Sequence, residues 1–213
     1  MMSKIIYIPA FILCCFFLNF CSAQTKIDSL KFRKEIPTQK NGEPDLAYRL
    51  AQQKARELKL DKLEKGFDSL QIRIWYNYAS MRFRKLLIIT KAKADWSAAI
   101  YSMTVDSNPS KQTETIVASN LSTEIPVVGW NVFIEKISAL QIKTLPNMKD
   151  IPGLTDTLTD GITYSVEIAT NKLYRFYSYH APDQFQDKFP EAKNMVDILE
   201  MMDDELGVAS GIK

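Results

Sequence analysis

The sequence is poor in the residues that most often carry chemistry. It has one histidine, seven glycines and three cysteines in 213 residues. All three cysteines, Cys14, Cys15 and Cys21, lie near the amino terminus. A lone imidazole with no downstream thiol cannot build the usual three- or four-ligand nitrogen and sulfur site for zinc. No GxSxG elbow, GxxxxGK[ST] loop or GxGxxG fingerprint is present, so a hydrolase nucleophile turn and a phosphate cradle are not supported. No excess of one charge exists either. With 27 Lys and Arg against 25 Asp and Glu the formal net charge is +2, too balanced for a dedicated nucleic-acid or polybasic membrane binder. What is present is an ordinary globular composition, 46% hydrophobic and 24% charged, enough for a substantial core.

Residues 1–23, MMSKIIYIPAFILCCFFLNFCSA, read as a secretory signal peptide. Lys4 supplies the positive start, an apolar run from Ile5 to Phe20 follows, and Ser22-Ala23 before Gln24 forms a cleavage pattern. The apolar run falls short of the ~20 residues that a membrane span requires. A lipoprotein signal with Cys21 as the modified residue is the alternative, disfavoured because bulky Phe20 precedes it. A cut after Ala23 leaves a chain without cysteine, hence without disulfides. The expected location is periplasmic or secreted, with no transmembrane span in the mature chain.

Residues 24–42 are polar, contain Pro37 and Asn41-Gly42, and read as a flexible leader. Residues 43–213 read as one domain. Over 44–60, Leu46, Ala47, Leu50, Ala51, Ala55 and Leu58 recur at helical spacing. LQIRIWYNY at 70–78 alternates as a strand, with Leu70, Ile72, Ile74, Tyr76 and Tyr78 on one face and Gln71, Arg73, Trp75 and Asn77 on the other. Further strands are expected at 83–91 and 96–106, and a weaker one at about 113–118, pairing as an antiparallel meander. A helix is expected over 127–141 and a loop over 144–161. A hairpin follows at 161–180. If Thr170 and Asn171 form its loop, Ile168 faces Leu173, Val166 faces Arg175 and Tyr164 faces Tyr177. The strongest helical period spans 183–206, bounded by Pro182 and Gly207. The expected fold is α+β: an antiparallel sheet of five or six strands, meander plus carboxy-terminal hairpin, with two or three helices packed mainly on one face.

Several patterns invite a functional reading. His180 ends a predicted strand and reads as an exposed strand-end residue. Asp156, Asp160, Gly161 and Glu167 fall at positions 1, 5, 6 and 12 of a calcium-loop spacing, but Leu158 stands at position 3 and a strand follows, so a turn is expected. Paired carboxylates such as Glu167 and Asp183 would suit glycoside hydrolysis. Asp203-Asp204-Glu205 opposes the dipole at its helix end, as a solvated or partner-facing terminus. Asn120-Leu-Ser122 fits the N-glycosylation triplet.

The aromatic and basic content of the strands is the best recognition signal, because tyrosine, tryptophan and arginine combine flat surfaces with fixed donors. The candidate ligand-binding residues are Arg73, Trp75, Arg175 and Tyr177. A buried Arg175 requires a carboxylate of the protein or an anionic ligand. No cofactor or metal is expected. The expected role is an exported, non-enzymatic module that binds protein, peptide or glycan. An envelope structural or assembly protein is one alternative, and a glycan or peptide hydrolase using paired carboxylates is another.

The Ser22-Ala23-Gln24 ending, together with stretches such as LQIRIWY and PEAKNMVDIL, resembles small exported proteins of Bacteroidetes for which no activity is established. The triplets at Asp28, Asp68 and Asp156 are similar to the O-glycosylation acceptors of those bacteria, which implies sugar on Ser29, Ser69 or Thr157. The resemblance implies export and leaves activity, ligand and oligomeric state open.

Overall fold

The computed structural model describes residues 31–78, 81–155, 157–209 and 211. Residues 1–23, read from sequence as a signal peptide, with their cysteines, and Asp156 lie outside the described residues. The described residues contain no cysteine, so no disulfide braces them. None of their helices is long and apolar enough to cross a membrane.

The elements run β1 (Arg33–Glu35), α1 (Leu46–Glu57), β2 (Leu70–Tyr78), β3 (Phe83–Ala92), β4 (Asp95–Asn108), β5 (Thr113–Glu124), α2 (Trp130–Ala139), β6 (Ile162–Thr170), β7 (Leu173–His180) and α3 (Pro190–Leu206). The strands form one seven-stranded sheet in the order β1-β7-β6-β2-β3-β4-β5. All pairs are antiparallel except β1 with β7. The fold is α+β with a mixed, mostly antiparallel sheet, and the expected five or six strands become seven. The extra strand comes from the segment read as a flexible leader: Arg33–Glu35 adds in parallel to the β7 edge. Three residues are too few to show a period of two.

The meander is as expected, but β4 and β5 are longer. β5 extends to Glu124 although its second half is polar and mostly exposed, because β4 supplies the main-chain partners. The hairpin register also differs. Ala169 pairs with Tyr174, Val166 with Tyr177 and Tyr164 with Tyr179, so the turn is Asn171-Lys172, not Thr170-Asn171. The Thr170 hydroxyl accepts the N–H groups of Lys172 and Leu173 at 3.2 and 3.1 Å, a side-chain turn that moves the loop on by one position. The shift is even in sequence sum, so each side chain keeps its expected face.

The two faces carry different cores. Leu70, Ile72, Ile74 and Tyr76 of β2 join Leu87, Val166, Ile168, Tyr177 and Tyr179 on one face. Phe133 and Ile137 of α2 and Met195, Ile198, Leu199 and Met202 of α3 cover it. The loop after α2 closes this core with Ile142, Leu145, Met148, Ile151 and Leu154. The opposite face carries Trp75, Leu86, Ile88, Met103, Tyr174 and Phe176 beneath Tyr48, Ala51 and Ala55 of α1. Two helices thus share one face and α1 covers the other. β2 is consequently buried on both faces rather than half-buried, apart from its last two residues.

The helices are shorter than their sequence periods. Asp45 caps α1 by accepting the Ala47 N–H at 3.1 Å. The expected apolar stripe of α1 is displaced: Tyr48, Ala51, Lys54 and Ala55 are its buried residues, while Leu46 and Leu50 lie at its margin. α3 begins at Pro190 rather than near 183. Phe185 and Phe189 precede it and pack on the core from a turn. Gly207 ends it in the left-handed conformation, at φ 65°, as helix ends favour.

Candidate functional site

The small side chains of α1, Ala51 and Ala55, let it approach the sheet closely, and its polar residues Gln52 and Lys54 then face inward. A buried polar layer results. Glu167 on β6 is fully buried. It accepts the Trp75 indole N–H at 2.7 Å, the Tyr174 hydroxyl at 2.8 Å and the Gln52 amide at 2.9 Å. Burial, with the Glu167 charge beside it, pushes the Tyr174 hydroxyl far above its ordinary pKa. That phenol is a fixed donor rather than an acid.

A second knot joins α1 to the edge of the sheet. Lys54 is fully buried and donates to Glu114 of β5 at 2.6 Å and to Asn77 of β2 at 3.2 Å. Arg84 of β3 donates to the same carboxylate at 3.2 Å. Burial pushes the Glu114 carboxyl up, but the Lys54 ammonium and the Arg84 guanidinium outweigh it and hold it below the usual range. Both knots are saturated by protein partners and brace α1 on the sheet.

The four sequence-predicted residues fall into two pairs. Arg73 and Trp75 lie on the α1 face. Arg73 is buried and donates to the Gln71 side chain and the Asp61 carbonyl, both at 2.9 Å. Arg175 and Tyr177 lie on the other face, with the guanidinium 5.3 Å from the Tyr177 ring centre. Arg175 pairs with Glu35 of β1 at 2.9 Å. It also donates to the Lys143 carbonyl at 2.7 Å and to the Leu145 carbonyl. The Tyr177 hydroxyl donates to the Ile142 carbonyl at 2.7 Å. The sheet therefore separates Arg73 and Trp75 from Arg175 and Tyr177, and the second pair anchors the loop after α2.

The remaining sequence features are also placed. His180 is half-buried rather than exposed, beside a cavity of about 360 Å³ that Asp45, Asn147, Lys149, Thr163 and Ser178 also line. The carboxylate there, Asp45, is engaged with the α1 cap and with Lys149 at 3.3 Å. A neighbouring cavity of about 320 Å³ carries Asp160 and Asp183. Asp160 accepts the Gly161 N–H at 2.9 Å and Asp183 accepts the Gln184 amide at 2.7 Å. Glu167, the calcium-spacing residue at position 12, points into the α1 layer instead. No group of three or more metal-binding side chains occurs among the described residues. Within the acidic end of α3, Glu205 is buried and accepts the Val128 N–H at 2.9 Å and the Lys136 ammonium at 3.3 Å. It ties the β5–α2 connection to α3.

The feature that sequence reasoning missed is the outer edge of β5. Its first half is closed: Gln53 of α1 donates to the Glu114 carbonyl at 2.6 Å, and Glu57 accepts the Ile116 N–H at 2.7 Å. Residues 114 and 116 therefore turn their main-chain groups away from β4. A register shift at Thr104/Val105 leaves Val117 as an extra residue in β5. Such a bulge switches the outward-facing set, so Ser119, Leu121 and Thr123 present their N–H and C=O groups outward beyond it. No main-chain or side-chain partner meets these groups among the described residues. The stretch from Thr115 to Thr123 holds no charge. Val117 is 50% exposed, Leu121 51%, Ile125 76% and Val127 82%. An open edge normally carries charge, proline or a covering element against unwanted pairing. This one lacks charge and cover along half its length.

No protein-family model, curated protein or solved structure matches this chain.

Proposed function

We propose that this protein is an exported, non-enzymatic interaction module that receives an extended polypeptide segment on the open edge of β5. The observation that carries this reading is the uncharged run from Val117 to Thr123, whose outer main-chain groups meet no partner among the described residues and which is followed by exposed Ile125 and Val127. Addition of a strand to such an edge draws affinity from main-chain hydrogen bonds and specificity from alternate side chains. The buried carboxylates Glu167, Glu114 and Glu205 are each spent on protein donors, which favours a rigid scaffold over an acid–base centre.

Peptides selected from a random library should protect the amides of Ser119, Leu121 and Thr123 from hydrogen exchange. Protection elsewhere, with those amides unchanged, would remove the edge from the proposal. Export is tested by the mass of the mature chain, which should begin at Gln24. In the rival hydrolase reading, whose sequence candidates were Glu167 and Asp183, Glu167 is buried in the α1 layer, and Asp160 is the carboxylate that lines a cavity with Asp183. Turnover of a glycan or peptide, abolished by Asp183→Asn with an unchanged melt, would replace the binding module.

A further inference from the structure

Building on the edge as an interaction surface, we infer that its occupant is a second copy of this chain, paired antiparallel to β5 about a two-fold axis at Leu121. The edge is bounded at both ends. Gln53 and Glu57 occupy the outward groups of residues 114 and 116. Pro126 offers no N–H at the other end. The open stretch thus runs from Val117 to Ile125, and its midpoint is Leu121.

Antiparallel pairing about that midpoint sets Ser119 against Thr123 of the second copy and Leu121 against its own symmetry mate. These are the residues whose main-chain groups turn outward, so each pair can exchange both hydrogen bonds, about six in all. A two-fold axis at Asn120 or Ser122 would instead set Leu121 against Ser119 or Thr123 of the second copy and lose the apolar match at the centre.

The side chains agree with the same register. Val117 falls against Ile125 of the second copy and Leu121 against Leu121, which sets exposed apolar groups on one another. Leu121 and Ser119 lie on the α1 face of the sheet, beside Tyr101 and Met103 of β4. Charge fits as well. Glu124, the nearest free carboxylate on the strand, falls opposite Ala118 rather than its own copy. Like charges opposite one another across strands are destabilising, and this register has none. A two-fold interface requires such self-complementarity.

Sedimentation velocity of the purified protein over a wide concentration range is the test. A reversible dimer is expected. Leu121→Lys sets two cations against each other across the axis and should weaken the dimer about tenfold or more. Leu121 is exposed, so the melt should hold. Leu121→Glu should weaken self-association in the same way, and an equal mixture of the two variants should restore the dimer. A protein that stays monomeric throughout, or a dimer indifferent to both substitutions, would overturn the inference. Amide exchange separates this from failure of the edge reading. A monomer whose Ser119, Leu121 and Thr123 amides exchange freely, and are protected by an added extended peptide, excludes only the second copy. A monomer that already protects those amides refutes the open edge itself.

Discussion

Trp75 donates its indole N–H to Glu167 across two strands, at 2.7 Å, although the two residues are not register partners. Trp75 stands opposite Ser165 and Glu167 opposite Arg73, so the indole reaches diagonally. Same-face diagonal neighbours lie within reach of large aromatic side chains. This contact, with those of Tyr174 and Gln52, turns a buried carboxylate into the keystone between α1, β2, β6 and β7.

Replacing Glu167 by Ala should therefore destabilise strongly. Three donors lose their acceptor in a water-poor layer, and the cost should reach about 3 kcal/mol or more. Glu167→Gln keeps one acceptor oxygen and should cost less, about 1–2 kcal/mol. Urea unfolding followed by tryptophan fluorescence measures both, since Trp75 is buried in this layer.

Acid should loosen the α1–β5 knot. The folded-state pKa of Glu114 is depressed, so its contribution is present above the unfolded value of about 4.3 and is lost as pH falls through the lower folded value. The unfolding free energy of the native protein should thus fall more steeply below about pH 4 than that of Glu114→Gln. At neutral pH the same substitution should cost about 3–5 kcal/mol, because Lys54 and Arg84 are left buried with a weaker partner. Denaturant midpoints across pH for both proteins provide the comparison.

Arg175→Ala should act on stability. Its guanidinium holds the Lys143 and Leu145 carbonyls of the loop after α2. Loss of charge-assisted bonds to that loop should cost about 2–4 kcal/mol. The amides of residues 142–154 should exchange faster before the rest of the sheet does. An unchanged melt combined with loss of ligand capture would instead make Arg175 a binding residue.

Glu57→Ala should uncover the Ile116 N–H. Exchange of that amide should quicken by about tenfold, while the neighbouring amides bonded to β4 stay protected. The substitution also lengthens the open edge, so capture of an extended peptide at β5 should tighten rather than weaken.

Local patterns already carried the meander, the hairpin and the carboxy-terminal helix. Alternation over 70–78 assigned Arg73 and Trp75 to one face, and the structure keeps them there. A period of two survives an even register shift, which is why the hairpin faces held although Thr170 moved the turn. The α1 stripe was not legible in the same way. Beside the expected Ala51 and Ala55, its inward face carries Tyr48, Gln52 and Lys54, and Lys54 is buried only because Glu114 and Asn77 wait for it on distant strands.

What the chain determined by itself was periodicity, and with it the element types, the faces of each strand and the scarcity of catalytic side chains. Tertiary structure decided the rest. It placed α1 over Trp75 and Glu167, spent the buried carboxylates on internal donors, and split Arg73 from Arg175 across the sheet. It also left β5 as the outer strand with half its edge open. Strand order and edge exposure depend on pairings between residues far apart in sequence, and no local spacing encodes which strand goes without a neighbour.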